Sequence, residues 1–209
     1  CAMLNANADD LRDILLIPGQ SVPPMDSDVP CGMFLQSPDG TFRDHSAEAG
    51  LKIRPFGMGV AAGDADNDGD VDLLLTSSSG TSFFTNNGSA HFVDTTAAAG
   101  LTSSRWTTAA TFLDYDRDGW LDLFVVSYVD YFPGSVCQDG SGRRDFCGPL
   151  AFAGTVDHLY RNKARAGQPP QFEDVTVQAG LASASGKGLG AISSDFNRDG
   201  RIDLYVAND

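Results

Sequence analysis

The sequence lacks any apolar run approaching the ~20 residues of a membrane-spanning helix. Its early apolar stretch, Ile-Leu-Leu-Ile at 14–17, is too short and has no basic flank, so no complete signal peptide is present either. Positive charge is scarce. Lys and Arg number 14 against 28 Asp and Glu, for a net charge of −14 at pH 7, which argues against nucleic acid or an anionic membrane surface as partner. There is no Gly-x-Ser-x-Gly, His-Glu-x-x-His or phosphate-binding loop. Histidine is limited to His45, His91 and His158, at unrelated positions, so no shared acid–base geometry follows. The four cysteines match no zinc spacing. Sustained helical periodicity is absent too, apart from brief turns at Ala-Glu-Ala-Gly, Ala-Ala-Ala-Gly and Val-Gln-Ala-Gly. The 209 residues, 42% of them hydrophobic, still suffice for a substantial core in one or two domains.

What the chain has in excess is aspartate, in three places that obey one template. DADNDGDVD begins at Asp64, DYDRDGWLD at Asp114 and DFNRDGRID at Asp195. Positions 1, 3, 5 and 9 carry oxygen side chains and position 6 is Gly. The first loop supplies Asp64, Asp66, Asp68 and Asp72, and the second Asp114, Asp116, Asp118 and Asp122. The third supplies Asp195, Asn197, Asp199 and Asp203. So many like charges repel unless a cation binds them. Hard cations such as calcium take several oxygen ligands, and a sharp turn at Gly lets those oxygens converge. Position 7 (Asp70, Trp120, Arg201) varies, as expected if it offers only its backbone carbonyl. The loops depart from the EF-hand, because position 12 is Leu75, Val125 and Val206 rather than Glu. The short apolar runs that follow read as buried strands. The expectation is about three calcium ions, which would take the charge of −14 to −8.

The loops mark a longer repeat. FRDHSAEAGL, FVDTTAAAGL and FEDVTVQAGL start at Phe42, Phe92 and Phe172, each 22 or 23 residues before an acidic loop. From Asp64 to Asp114 is 50 residues and from Asp114 to Asp195 is 81, so about 30 are inserted. One period holds roughly four short strands. A period near 50 with four strands points to an all-β fold of β-propeller blades, rather than a β-solenoid with its shorter repeats. The small residues in GVAAGD suit a strand crowded near the axis.

The sequence PFGMGVAAGDADNDGDVDLLL, with its Phe-Gly pair and acidic loop, resembles the FG-GAP or VCBS repeat family, whose blades also occur in integrin α-subunits. More narrowly, FLDYDRDGWLDLFVVSYVDY and GKGLGAISSDFNRDGRIDLYVAND resemble the bacterial ASPIC/UnbV, cartilage acidic protein-like group. The resemblance covers residues 31–209 and implies about three four-stranded blades. Residues 1–30 read as an N-terminal extension outside the repeat. Closure of a propeller takes about four blades, so the expectation is part of a larger propeller, or an array that assembles with further blades.

The insert at about 128–156 contains Cys137 and Cys147, ten residues apart and bracketing Gly-rich sequence, which suits a disulfide staple. Arg143 and Arg144 form a basic pair in an acidic protein and, with Tyr131, make a ligand surface. The competing reading is a tied-down loop whose arginines pair with nearby carboxylates. Cys1 admits three readings: a lipidated first residue, a disulfide partner of Cys31, or an accident of where the sequence starts. An even cysteine count and calcium loops fit an extracellular, periplasmic or cell-surface location. The functional expectation is a non-enzymatic module with structural calcium, binding a protein or carbohydrate ligand. The alternatives are a propeller-based polysaccharide lyase or hydrolase, and a purely structural repeat of a larger surface protein.

Overall fold

A computed structural model describes residues 1–19, 29–53, 56–101, 105–132 and 134–209. Residues 20–28 of the expected extension and Pro133 of the insert lie outside them. The described chain is almost entirely antiparallel β. Three four-stranded sheets follow one another, each a simple up-and-down meander. The first comprises β1 (Ala2–Leu4), β2 (Asp13–Leu16), β3 (Gly32–Gln36) and β4 (Phe42–Asp44). The second comprises β5 (Gly57–Gly63), β6 (Asp72–Ser77), β7 (Gly80–Asn86) and β8 (Phe92–Asp94). The third comprises β9 (Thr107–Leu113), β10 (Asp122–Ser127), β11 (His158–Asn162) and β12 (Phe172–Asp174). A two-stranded ribbon, β13 (Gly188–Ser194) with β14 (Asp203–Asn208), completes the series. Four-stranded antiparallel sheets in sequence are propeller blades, as the period implies.

The structure corrects the boundary drawn at residue 30. β1 and β2 are not an extension: they pair with each other and, through β2, with β3, so residues 2–16 begin the first blade.

In the second and third sheets the second strand is buried on both faces, which explains its unbroken apolar run. In β6, Leu73 and Leu75 pack toward the first blade, against Leu15, Met33 and Leu51. Leu74 points the other way, into the layer with Phe83, Leu123 and Val125. In β10, Phe124 and Val126 face the ribbon beside Leu204 and Val206. Period-two alternation thus feeds two cores from one strand. Each side chain so buried contributes about 1.5–3 kcal/mol. The ribbon differs: Tyr205, at the register position of Leu74 (0% exposed), is 62% exposed.

The small-residue strands lie side by side, β5 against β9 and β9 against β13. A Cβ on Gly59 would stand 2.6 Å from the carbonyl oxygen of Thr108, so this approach excludes a larger side chain. The Phe-x-Asp-x-Ser/Thr pieces form the outer strand and its turn. Asp94 and Asp174 each accept the N–H two residues on, from Thr96 and Thr176, at 2.9 Å, in a side-chain-closed turn.

Candidate metal centre

Each acidic loop joins the first two strands of a blade, in constant register. The residue before position 1 pairs with position 9: Gly63 with Asp72, Leu113 with Asp122 and Ser194 with Asp203. Positions 4 and 6 take left-handed backbone. Arg117 has φ of +63° and Gly119 of +86°; Asn67, Gly69, Arg198 and Gly200 do likewise. Only Gly does this without cost at position 6. The aspartate at position 1 accepts two N–H groups. Asp64 takes those of Asp68 at 3.1 Å and Gly69 at 3.0 Å; Asp114 takes those of Asp118 at 3.1 Å and Gly119 at 3.0 Å. The ligand atoms of Asp64, Asp66 and Asp68 lie within 4.8 Å of one another, as do those of Asp114, Asp116 and Asp118.

Position 9 stands outside these trios and is a latch. Asp72 accepts the N–H of Ala65 at 3.1 Å on one oxygen and that of Asn86 at 3.0 Å on the other. Asp122 repeats this with Tyr115 at 3.0 Å and Asn162 at 2.8 Å. One buried carboxylate thereby ties the loop to the third strand of its blade. Sequence reasoning saw a fourth ligand here and missed this strand-pinning role. It also missed an equivalent residue. Asp13, fully buried, accepts Ala6 N–H at 2.8 Å and Gln36 N–H at 2.9 Å. The available signal was Asn5, Asn7, Asp9 and Asp13 at positions 1, 3, 5 and 9, disguised by two amides and the absence of Gly.

Crowding of negative charge is visible in the carboxyl equilibria. Burial first, and then the Asp68 carboxylate, push Asp66 up to about 6. Burial pushes Asp72 up to about 7 and Asp122 to about 6, against the pull of their backbone N–H donors. Asp66 Oδ1 and Asp116 Oδ1 are buried and have no hydrogen-bond partner. A buried oxygen without a donor costs free energy that a cation would recover. An all-oxygen, carboxylate-rich donor set suits a hard divalent ion.

With this geometry, residues 64–125 match the model of the family described as FG-GAP-like repeat. The chain is also similar to cartilage acidic protein 1 of mouse, at 24% identity over 79% of this chain and 31% of the relative. The human protein of that name is 27% identical, over 79% of this chain and 30% of the relative. That of Xenopus tropicalis is 26% identical, over 84% and 24%. The chain therefore spans about a third or less of the length of these curated relatives.

The acidic loops are not equivalent. Arg161 Nη2 lies 2.8 Å from Asp116 Oδ2 and 3.6 Å from Asp118 Oδ2. Strand register puts Arg161 where Thr85 stands in the preceding blade, since Tyr160 faces Leu123 as Phe84 faces Leu73. The loop at 114–122 thus has a guanidinium paired with its carboxylates, and the ion pairs among the described residues include none at the loop 64–72. In the third loop, Asn197 replaces a carboxylate, and its amide donates to Asp199 Oδ2 at 3.2 Å. At position 7, the Asp70, Trp120 and Arg201 side chains share no role; each backbone N–H donates to the position-5 aspartate, at 2.8–3.0 Å.

The insert extends between β10 and β11. The Cys137–Cys147 disulfide is formed, and it brackets a small ribbon of Cys137–Gln138 paired with Arg144–Asp145. Cys1 is free and exposed, and Cys31 is free and buried, its thiol pushed up to about 12 by burial; no bridge joins them. Tyr131 packs edge-on against Trp106, with ring centroids 5.3 Å apart, and tilts against Phe152 at 5.4 Å. Tyr131 is therefore an anchor of the insert. Arg143 pairs with Asp139 at 3.2 Å, as the tied-down reading expects. Arg144 is exposed and makes no ion pair among the described residues.

Proposed function

We propose that this chain is a non-enzymatic, extracellular β-propeller module whose acidic loops hold structural calcium and whose insert docks a protein partner. The observation that carries the calcium half is the pair of carboxylate trios, each with a buried, unpartnered oxygen at position 3 (Asp66 and Asp116). Calcium would be held by Asp64, Asp66 and Asp68, by Asp114, Asp116 and Asp118, and by Asp195, Asn197 and Asp199. Bound there, it supplies charge neutralisation at the hairpin turns. These sites recur once per blade, whereas catalysis needs one asymmetric centre; a structural role follows. Extracellular sites of this kind match calcium's abundance outside the cell, and the disulfide suits the same compartment.

The partner half rests on the insert surface. Phe146 and Leu150 are each 94% exposed, on the same insert as Arg144, which makes no ion pair among the described residues. Arg and aromatics are favoured at protein interfaces, and large apolar side chains left in water mark interaction sites. Tyr131 packs against Trp106 and Phe152 and stays 41% exposed. Among the described residues no helix is long and apolar enough to cross a membrane.

Calorimetry with and without chelator tests the metal half; an unchanged melting temperature removes it. The partner half is tested by comparing the native chain with a Phe146→Ser/Leu150→Ser variant on panels of immobilised matrix proteins and glycans. Loss of protein binding with calcium-dependent melting intact supports the insert. Equal retention of both chains removes it.

A further inference from the structure

The insert holds a basic pair that the docking surface uses only in part. Lys and Arg number 14 in the chain, and Arg143 and Arg144 are the only two adjacent in sequence. They stand at the tip of the insert's small ribbon, where Arg144 is the first residue of the returning strand. The Arg143 side chain is 81% exposed even while paired with Asp139, and Arg144 is exposed. Space around the tip is open: a Cβ on Gly140, Gly142 or Gly148 would meet nothing within 4 Å.

Exposure alone does not make a cleavable bond; backbone direction matters as well. A chain that binds as an added strand must offer main-chain N–H and C=O groups that its own fold leaves free. Asp139 N–H donates to the Arg143 carbonyl at 2.8 Å, so residues 139 and 143 form a hydrogen-bonded pair. Antiparallel pairs alternate between bonded and non-bonded. Gln138 and Arg144, next in register, are therefore a non-hydrogen-bonded pair, and the N–H and C=O of Arg144 point away from the ribbon. That ribbon has two strands, so its outer edge takes no third strand among the described residues. The bond after Arg144 thus has two cations before it, an extended backbone and an outward carbonyl.

We propose that the Arg144–Asp145 bond is a processing site for an endoprotease specific for paired basic residues. Hydrolysis breaks the C–N bond. The hydroxyl of water goes to the Arg144 carbonyl carbon and the proton to the Asp145 nitrogen, leaving a new carboxylate and a new amine. Arg143 has to leave Asp139 to be recognised, and an exposed ion pair of this kind opposes that weakly. The Cys137–Cys147 disulfide encloses the cut, so residues 1–144 and 145–209 stay joined. A closed loop becomes two ends, and Phe146 comes to lie next to a new amino terminus.

The test is limited digestion of the whole, oxidised chain with a purified paired-basic endoprotease, read by intact mass and by gels with and without reductant. A single cut is expected. It gives one band without reductant and two with it, of residues 1–144 and 145–209, and an intact mass greater by one water. Arg144→Gln should abolish the cut. Arg143→Gln should slow it at least about tenfold, the worth of one charge-assisted contact. Both side chains are exposed, and matching melting temperatures certify the variants. A native chain left whole, or cut first elsewhere, overturns the proposal. Cleavage of a linear peptide of residues 139–149 in the same tube shows that the enzyme was active and that the fold refused it. Equal rates for the native chain and Arg143→Gln overturn it too, because exposure and not the pair would then decide.

Discussion

Asn67 Nδ2 donates to the backbone carbonyl of Gly119 at 3.0 Å. Position 4 of one acidic loop is thereby tied to position 6 of the next. The relation recurs one blade on, where Arg117 Nη2 donates to the carbonyl of Gly200. Left-handed backbone at position 4 carries the bonding residue in both cases. A cation that orders one loop therefore also fixes a contact of its neighbour. Asn67→Ala should cost no more than about 1 kcal/mol, since the bond is exposed. It should also make the loops at 64–72 and 114–122 fill independently. Calcium isotherms of native and variant chains check this: identical shapes would show that the bond transmits nothing.

Removing the metal should loosen the fold. At ten times the dissociation constant, each calcium site contributes about 1.4 kcal/mol, a large fraction of an ordinary domain's stability when summed over several loops. The melting temperature should fall on adding chelator and recover with calcium in a concentration-dependent manner.

The metal-free protein should respond to pH in an unusual direction. Asp66, Asp72 and Asp122 are raised to about 6, 7 and 6, against about 3.9 in an unfolded chain. Between those values the fold binds more protons than the unfolded chain. The contribution of these groups to stability is therefore greatest at low pH and is lost as pH rises through about 4 to 7. With chelator present, the melting temperature should be higher near pH 5 than near pH 7. Excess calcium should shrink or reverse the difference, because cation and proton compete for the same carboxylates. A chelated protein that is less stable at the lower pH would contradict this account.

Arg161 should set the loop at 114–122 apart. Its guanidinium already screens Asp116 and Asp118. Replacing it with the residue at the same register in the preceding blade, Arg161→Thr, should raise calcium affinity at that loop about two- to fivefold, the worth of a partly exposed ion pair. It should also destabilise the chelated protein. Titration followed by Trp120 fluorescence reads the site directly; unaltered affinity would mean the arginine does not weigh against the cation.

The latch predicts a sharp contrast within one loop. Asp72→Ala strands two buried N–H groups, those of Ala65 and Asn86, and should cost about 3 kcal/mol or more even without calcium. Asp66→Ala should abolish binding at its loop but leave the chelated protein nearly as stable as before. Denaturant unfolding of the two variants in chelator separates the roles. Equal losses would mean that position 9 is no more structural than position 3.

Much of this molecule was legible in its sequence. Asp-x-Asp-x-Asp-Gly announces itself because converging oxygens need short acidic side chains at alternate positions and a Gly where the chain turns. Apolar runs such as Leu73–Leu75 announce strands covered on both faces. Recurrence of Phe42, Phe92 and Phe172 gave the period of the blades, and the spacing of Cys137 and Cys147 suited the bridge that forms. Other features were decided only by tertiary structure. The first blade's hairpin was hidden because its frame needs an oxygen acceptor and a left-handed turn, and Asn5 and Asp10 supply these without the motif. The latch at Asp72 depends on Asn86, brought alongside by the pairing of a third strand. Arg161 reaches Asp116 from 45 residues away in the chain because β11 lies beside β10. Local chemistry is written in short spacings. Which charge meets which carboxylate is set by strand register, and register emerges only when the sheets pack.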